Sequence, residues 1–210
     1  MPTLLHIDSS VSPTSASRAV AGQFTTAWTE SHPGGTVIYR DLVANPPAHL
    51  GWEAVSASVT PADTRSPEQA AAWAEREELI AELEAADALL LSVPMYNWSI
   101  TSTVKAWIDA VIVVDRTVSL TGGPGALSGK PVTIVTARGG AYGPGTPQEG
   151  NDYQEPYLRH VLAALGASDI NFINVELTVA AVNPAMADLI PLAEQSRAVA
   201  EKAVAARAAA

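Results

Sequence analysis

Three loop segments carry most of the side chains suited to holding a ligand. The first, "DSSVSPTSASR", places Ser10, Ser15, Ala16 and Ser17 at the predicted start of a helix. Free backbone N–H groups and the helix dipole attract an anion there, and hydroxyls add neutral donors. The pattern favours a phosphate monoester, while a serine-rich loop with a helix cap is an equally good interpretation of these residues alone. The neighbouring Arg18 either assists the anion or is simply exposed.

The second segment, "PMYNWSI", joins an apolar run to the next predicted helix. Tyr96 and Trp98 offer flat stacking faces, and Asn97 with the backbone N–H groups can bond a polar ring edge. Ordinary packing at a helix start is the alternative interpretation of the two aromatic residues. Their predicted position beside the serine-rich loop favours a ligand that is flat and partly polar.

The third segment, "TARGGAYGPG", places Gly139 and Gly140 just after an apolar strand pattern. Glycine lets the backbone approach a flat ligand closely and permits positive φ, although a plain turn is the simpler interpretation. Arg138 is either a surface residue or a donor to the ligand. A phosphate site, an aromatic wall and a glycine wall together predict a site for flavin mononucleotide (FMN).

Alternating strand and helix patterns must position these segments. Apolar runs at 4–7, 36–40, 88–93, 131–136 and 170–175 predict strands, and helical spacing predicts helices over 15–31, 67–85, 99–114, 153–165 and from Pro184 onward. Such alternation implies a parallel sheet with helices on both faces. Five strands in one domain, 1–210, match a flavodoxin-like doubly wound α/β fold with order 2-1-3-4-5. Ligands of such sheets bind beyond the carboxyl ends of the strands, here between the first and third.

Composition excludes several other classes of function. A net charge of −10 argues against nucleic-acid binding, which depends on Lys and Arg. The chain has no cysteine, its start lacks a secretory pattern, and no apolar run approaches the ~20 residues of a membrane span, so we expect a cytoplasmic protein. The four histidines are dispersed without the spacing of a metal pair, so no metal site is expected.

Longer motifs resemble the FMN-dependent NADH azoreductases, also described as quinone reductases or acyl carrier protein phosphodiesterase-like proteins. "PMYNWSI…VKAWID" at 94–109 is similar to the P-M-Y-N-F-x-I and L-K-x-x-x-D motifs of that family. "TARGG" at 136–140 is similar to its T-S-R-G-G, and "RDLVANPPAHL" at 40–50 to its R-D-L-x-x-x-P-x-P segment. The resemblance runs from Leu4 to about Ala198.

The resemblance implies a homodimer with one FMN per subunit near the dimer interface, and a ping-pong transfer of hydride from NADH or NADPH through flavin N5 to a quinone or azo compound. It implies that Ser10 and the Ser15–Ser17 turn bind the phosphate. A backbone N–H near Asn97 would tune N5. The residues that would line the flavin are Pro94, Met95, Tyr96, Asn97, Trp98, Ala137, Arg138, Gly139 and Gly140.

Some residues depart from the family pattern. Ala137 replaces a serine and removes a hydroxyl, and Val118 and Leu120 replace two aromatic rings that help to wall the substrate pocket. Two further functions stay open beside the reductase. One is a non-enzymatic electron carrier of the flavodoxin type, which the acidic charge suits. The other is a specialised reductase of an aromatic natural-product quinone.

Overall fold

The computed structural model describes residues 1–209 and contains one parallel five-stranded sheet. Its order is β2-β1-β3-β4-β5, so the predicted topology is confirmed. The register pairs Leu5 of β1 with Leu89 of β3, and Ile134 of β4 with Leu91 of β3. The strands are β1 (Thr3–Asp8), β2 (Thr36–Asp41), β3 (Ala88–Pro94), β4 (Val132–Ala137) and β5 (Ile170–Val175).

Within residues 1–209, six α-helices and two short 3-10 segments surround the sheet. Residues of α3, α4 and α5 bury their apolar sides against one face, and residues of α1 and α6 cover the other. The 3-10 segments span Ala62–Thr64 and Pro184–Leu189. The helices are α1 (Ala16–Ser31), α2 (Trp52–Ala57), α3 (Pro67–Ala85), α4 (Ser102–Val111), α5 (Glu155–Ala164) and α6 (Ile190–Ala208).

The central strand β3 shows why the sheet needs helices on both faces. Leu89, Leu91 and Val93 belong to the core under α3, α4 and α5, whereas Leu90 belongs to the core under α1 and α6. Alternate side chains of a strand point to opposite faces, so a continuous apolar run requires two cores. Each fully buried leucine contributes roughly 2 kcal/mol relative to exposure. No helix within residues 1–209 is long and apolar enough to cross a bilayer.

Helix α4 is shorter than the sequence predicts. It begins at Ser102 rather than at residue 99, because Thr101 is its N-cap and accepts a hydrogen bond from the Val104 N–H at 3.3 Å. It ends at Val111 rather than at residue 114. The three residues lost at the start leave room for a tight turn after β3, which contributes to the candidate site.

One buried arginine fastens the proline-rich excursion between β2 and α3. This connection contains α2 and a 3-10 segment. Arg76 of α3 donates to the carbonyls of Ala54 in α2 at 2.8 Å, of Ala110 in α4 at 2.9 Å and of Ile112 at 3.1 Å. Hydrogen bonds to a buried charged group are among the stronger ones, so this guanidinium joins α2, α3 and the end of α4.

Candidate functional site

The three loops predicted to bind a ligand lie together at the carboxyl edge of the sheet. The N–H of Val11 in the first loop donates to the Tyr96 hydroxyl in the second at 3.3 Å. The N–H of Met95 donates to the carbonyl of Ala137, at the start of the third loop, at 2.8 Å. Two direct hydrogen bonds therefore connect the loops that follow β1, β3 and β4, next to the point where the strand order reverses.

The first loop ends in the N-terminus of α1. Ser15 is the N-cap, and its hydroxyl accepts from the Arg18 N–H at 3.2 Å and lies 3.1 Å from the Ser17 hydroxyl. The N–H groups of the first helical turn, including those of Ala16 and Ser17, have no acceptor within the helix. Ser10 is buried and its hydroxyl accepts from the Ser12 N–H at 3.3 Å. The hydroxyls and free N–H groups predicted for an anion are thus close together.

Arg18 is engaged by the protein itself. Its Nε contacts the buried Asp8 carboxylate, and its Nη2 donates to the Ser10 carbonyl at 2.7 Å. Asp8 Oδ1 accepts from the Ser10 N–H at 3.1 Å, so the ion pair holds both backbone polar groups of Ser10. The hydrogen bond with Asp8 raises the pKa of Arg18. The Arg18 side chain is 34% exposed, but its contacts with Asp8 and Ser10 show that it also orients the loop. Its assistance to an anion stays a prediction.

The second loop forms an inverted tight turn from Tyr96 to Ser99. The N–H and C=O of these two residues pair with each other at 3.0 and 3.1 Å. The central residues have positive φ, 49° for Asn97 and 66° for Trp98, as in a type I′ turn. Asn tolerates this conformation, but a bulky residue rarely adopts it, and such strain is concentrated at functional sites.

A segment that the sequence interpretation missed supports this turn. The N–H of Tyr153 donates to the Trp98 carbonyl at 3.0 Å, and the Ser99 hydroxyl donates to the Tyr153 carbonyl at 3.3 Å. The buried Gln154 side chain donates to the Val93 carbonyl at 3.0 Å. These partners are more than fifty residues away along the chain, and no local pattern in "NDYQEP" signals them.

The third loop brings Ala137 beside Pro94 in the sheet and then turns away. Gly139 and Gly140 do not have positive φ, so that reason for the glycines is wrong. Close approach to a ligand and a plain turn are the two interpretations that remain. A Cβ on Gly140 would lie 3.3 Å from the Gln148 side chain. Arg138 is only 3% exposed, which excludes the surface-residue interpretation, and its guanidinium lies among carboxylates.

The arrangement fits FMN on its donor chemistry. The helix N-terminus with its hydroxyls suits a phosphate monoester. The Trp98 side chain is 55% exposed beside it and offers a flat face. The two turn hydrogen bonds use only Tyr96 and Ser99, which leaves the N–H groups of Asn97 and Trp98 outside the pairing. The buried Ser92 hydroxyl, two residues before the end of β3, has no hydrogen-bond partner within residues 1–209.

Cavities lie both at this edge and elsewhere on the molecule. A cavity of about 340 Å³ lies at the opposite, amino end of the strands, where Pro2, Asp87 and Pro131 line it. A cavity of about 240 Å³ adjoins the candidate site and is lined by Thr14 and Ala16. Within residues 1–209 no group of three His, Asp or Glu side chains is placed to hold a metal ion.

Comparison with known proteins agrees with this fold. The sequence matches the family described as having a flavodoxin-like fold over residues 2–200. It is 58% identical over 208 residues to the FMN-dependent NADH:quinone oxidoreductase of Frankia casuarinae, covering 99% of this chain and 98% of the relative. It is 55% identical over 210 residues to the protein of the same name from Streptomyces avermitilis, covering 99% and 96%.

Solved structures resemble it over their whole length. An azoreductase from Bacillus anthracis str. Sterne superposes with a TM-score of 0.86 at 20% identity, covering 100% of this chain and 99% of that one. An FMN-dependent NADH-azoreductase from Bacillus anthracis str. Ames Ancestor, in complex with FMN, gives 0.81 at 19% identity, with 99% and 100% covered. The chain belongs to the flavodoxin-like fold family, together with these FMN-dependent NADH:quinone oxidoreductases.

Proposed function

We propose that the chain is an FMN-dependent oxidoreductase that takes hydride from NADH or NADPH and delivers it to a quinone or azo compound in alternating half-reactions. One observation carries the proposal: the N-terminus of α1, the inverted turn at Tyr96–Ser99 and the Ala137–Gly140 segment meet at one sheet edge through direct hydrogen bonds. The names of the full-length relatives support the same reaction.

In this proposal the first loop binds the phosphate of FMN. Ser10, Ser15 and Ser17 supply hydroxyls, and the N–H groups of Ala16 and Ser17 add the partial positive charge of the helix N-terminus. The proposed phosphate site uses no free cation, because these donors are neutral and Asp8 neutralises the neighbouring Arg18. The residues proposed to line the ring are Pro94, Met95, Tyr96, Asn97, Trp98, Ala137, Gly139 and Gly140, together with the backbone of Arg138, whose side chain is buried among carboxylates.

When bound, FMN supplies the two-electron chemistry between nicotinamide and acceptor, and the protein supplies orientation and electrostatics. In this proposal the N–H groups of Asn97 and Trp98 would bond the ring edge that carries N5. The N–H groups of Gly139 and Gly140 would stabilise negative charge near N1 and O2. The Trp98 ring would favour one flavin orientation by stacking.

The proposal includes a single-domain homodimer that works in the cytoplasm, where reduced nicotinamides are available. Exposed Trp98 and Tyr153 beside the site support a partner surface, because large aromatic residues are enriched in interface cores. Light scattering of the purified protein should give twice the 21.8 kDa chain mass. A monomer mass in the FMN-loaded state would remove the homodimer from the proposal.

The direct test is anaerobic spectroscopy. The protein titrated with FMN should quench flavin fluorescence at one equivalent per chain, and NADH alone should then bleach the flavin absorbance. Addition of a quinone should restore the colour. Bleaching that requires a separate reductase would favour the electron carrier, and failure to bind FMN in excess would end the proposal. Comparison of simple quinones with polycyclic aromatic ones tests the specialised reductase.

Ser15 offers a sharper test of the phosphate site. Aspartate at an N-cap preserves helix stability as well as serine does. Ser15→Asp should therefore unfold at the same urea concentration as the wild type while its FMN affinity falls by at least about tenfold, since its negative charge repels the phosphate. Ser15→Asn keeps the cap without the charge and is the matched control. Equal FMN affinity of the two variants would place the phosphate elsewhere.

A further inference from the structure

Arg138 is a buried cation enclosed by carboxylates. Its guanidinium lies 2.9 Å from Asp152 Oδ2, 3.6 Å from Glu155 and 3.8 Å from Glu176, and the residue is 3% exposed. The Asp152 contact meets the distance of an ion pair, yet Nε and Nη2 of Arg138 make no hydrogen bond within residues 1–209. The interaction is therefore mainly one of charge. Its strength comes from the low effective dielectric of the interior.

Asp152 transmits this attraction to the backbone that follows it. Its second carboxylate oxygen accepts from the N–H groups of Gln154 at 2.8 Å and Glu155 at 3.0 Å, at the start of α5. One oxygen is thus turned to Arg138 and the other to the helix start. With both oxygens engaged, the position of the intervening residue, Tyr153, is fixed.

Tyr153 is the residue that holds the inverted turn. Its N–H donates to the Trp98 carbonyl and its C=O accepts from the Ser99 hydroxyl. The turn contains two consecutive non-glycine residues with positive φ, Asn97 and Trp98. Backbone strain of this kind persists only where surrounding contacts over-determine it. Tyr153 supplies two such contacts from outside the turn.

We propose that Arg138 is a positioning residue that maintains the Asn97–Trp98 turn through Asp152 and Tyr153. Without the cation, three partly buried carboxylates would face one another, and Asp152 would move away from its neighbours. Tyr153 would move with it, and the turn would relax toward ordinary φ values. The consequence for the flavin rests on the proposed function; the effect on the turn does not.

Amide hydrogen exchange, measured with and without FMN, tests the link. Arg138→Met should raise exchange in peptides covering residues 95–101 by about tenfold, a coupling typical of residues in one polar network. Exchange in β4 should stay at the wild-type rate. Arg138→Lys retains the charge and should restore most of the protection. A rise that spreads equally over the whole sheet would mean a general structural role and would overturn the proposal.

Two carboxylate variants test the same link, one as a second break and one as its control. Asp152→Asn keeps the acceptor for the Gln154 and Glu155 N–H groups but removes the charge, so it should loosen the turn alone and add little to Arg138→Met. Glu176→Gln removes a charge from the same guanidinium without touching Tyr153, and should leave the turn unchanged. Asp152→Asn also decides the matter if Arg138→Met does not fold: wild-type exchange at 95–101 would refute the link.

Flavin binding separates this inference from the proposed function. Arg138→Met with an unchanged turn but weaker FMN binding would make Arg138 a direct ligand contact and overturn the positioning role. Failure of the wild type to bind FMN would overturn the proposed function alone, since the exchange rates of the free protein still report on the turn.

Discussion

The serine-rich loop at residues 9–17 and the inverted turn at 96–99 lie side by side but are held in different ways. Most hydrogen bonds of the serine-rich loop join residues within ten positions, such as Ser15 to Arg18 and Asp8 to Arg18. The turn depends on Tyr153, whose carbonyl bonds Ser99 across 54 positions. The first conformation is thus encoded locally and the second by tertiary structure.

The largest expected effect on this comparison comes from removal of the ion pair between Asp8 and Arg18. Asp8→Ala leaves the Arg18 guanidinium and the Tyr39 hydroxyl, which donates to Asp8 at 3.0 Å, without their acceptor. Asp8 is fully buried but the Arg18 side chain is 34% exposed, so the cost in the free energy of unfolding should be at the lower end for a buried pair, about 3 kcal/mol when measured with urea.

Hydrogen exchange in the same variant tests whether the two regions are independent. We expect faster exchange in residues 9–17 and little change at 96–99. Equal loosening of both would show that the Val11 to Tyr96 hydrogen bond dominates and that the comparison fails. Asp8→Asn keeps an acceptor for the Ser10 N–H and should lose less stability.

Low pH should destabilise the protein through His6 of β1, the strand that precedes the serine-rich loop. Burial lowers the pKa of His6 from 6.5 to about 4, with smaller effects from Asp8 and Arg18. Between these values the unfolded chain binds a proton that the folded chain does not, so stability falls as pH falls through this window. The loss between pH 7 and pH 5 should be about 2 kcal/mol. His6→Phe should flatten this part of the urea-stability profile; an unchanged slope would assign the pH dependence to other groups.

Relaxation of the turn at 96–99 should raise the free energy of unfolding, whereas the changes above lower it. Trp98→Gly creates the Asn-Gly pair that type I′ turns prefer and removes the strain of a φ of 66°. The gain in unfolding free energy should be about 1 kcal/mol, since the exposed indole contributes little burial. If Trp98 stacks on the flavin, FMN affinity should fall at the same time. Lower stability would mean that the ring packs on the protein more than its exposure indicates.

The smallest effect is expected on the surface of α4. Lys105 and Asp109 are four residues apart on this helix and form an exposed ion pair at 2.5 Å. Lys105→Gln should change stability by no more than about 0.5 kcal/mol and leave FMN binding unaltered. A larger change in FMN binding would show that α4 transmits effects to the turn that precedes it.

Periodicity was sufficient to predict the sheet, because a buried parallel strand such as Leu89–Val93 has few alternatives to a doubly wound fold. The helix cap at Ser15 was equally accessible, since capping depends on nearby residues. The positive φ values in the turn could not be predicted, because neither Asn97 nor Trp98 is a glycine and the hydrogen bonds that hold them come from Tyr153. Arg138 was misleading for the same reason: its carboxylate partners are distant in sequence.

The anchoring of α2 by Arg76 affects which positions can vary during evolution. All three acceptors of its guanidinium are backbone carbonyls, at residues 54, 110 and 112. The hydrogen bonds therefore set no demand on side-chain chemistry at those positions, although the buried Ala54 and Ala110 must stay small to fit their surroundings. Lysine at position 76 has no planar fork to reach three carbonyls. The outer surface of the proline-rich connection between β2 and α3 can therefore vary, and with it the molecules that it contacts, while one arginine keeps the connection attached.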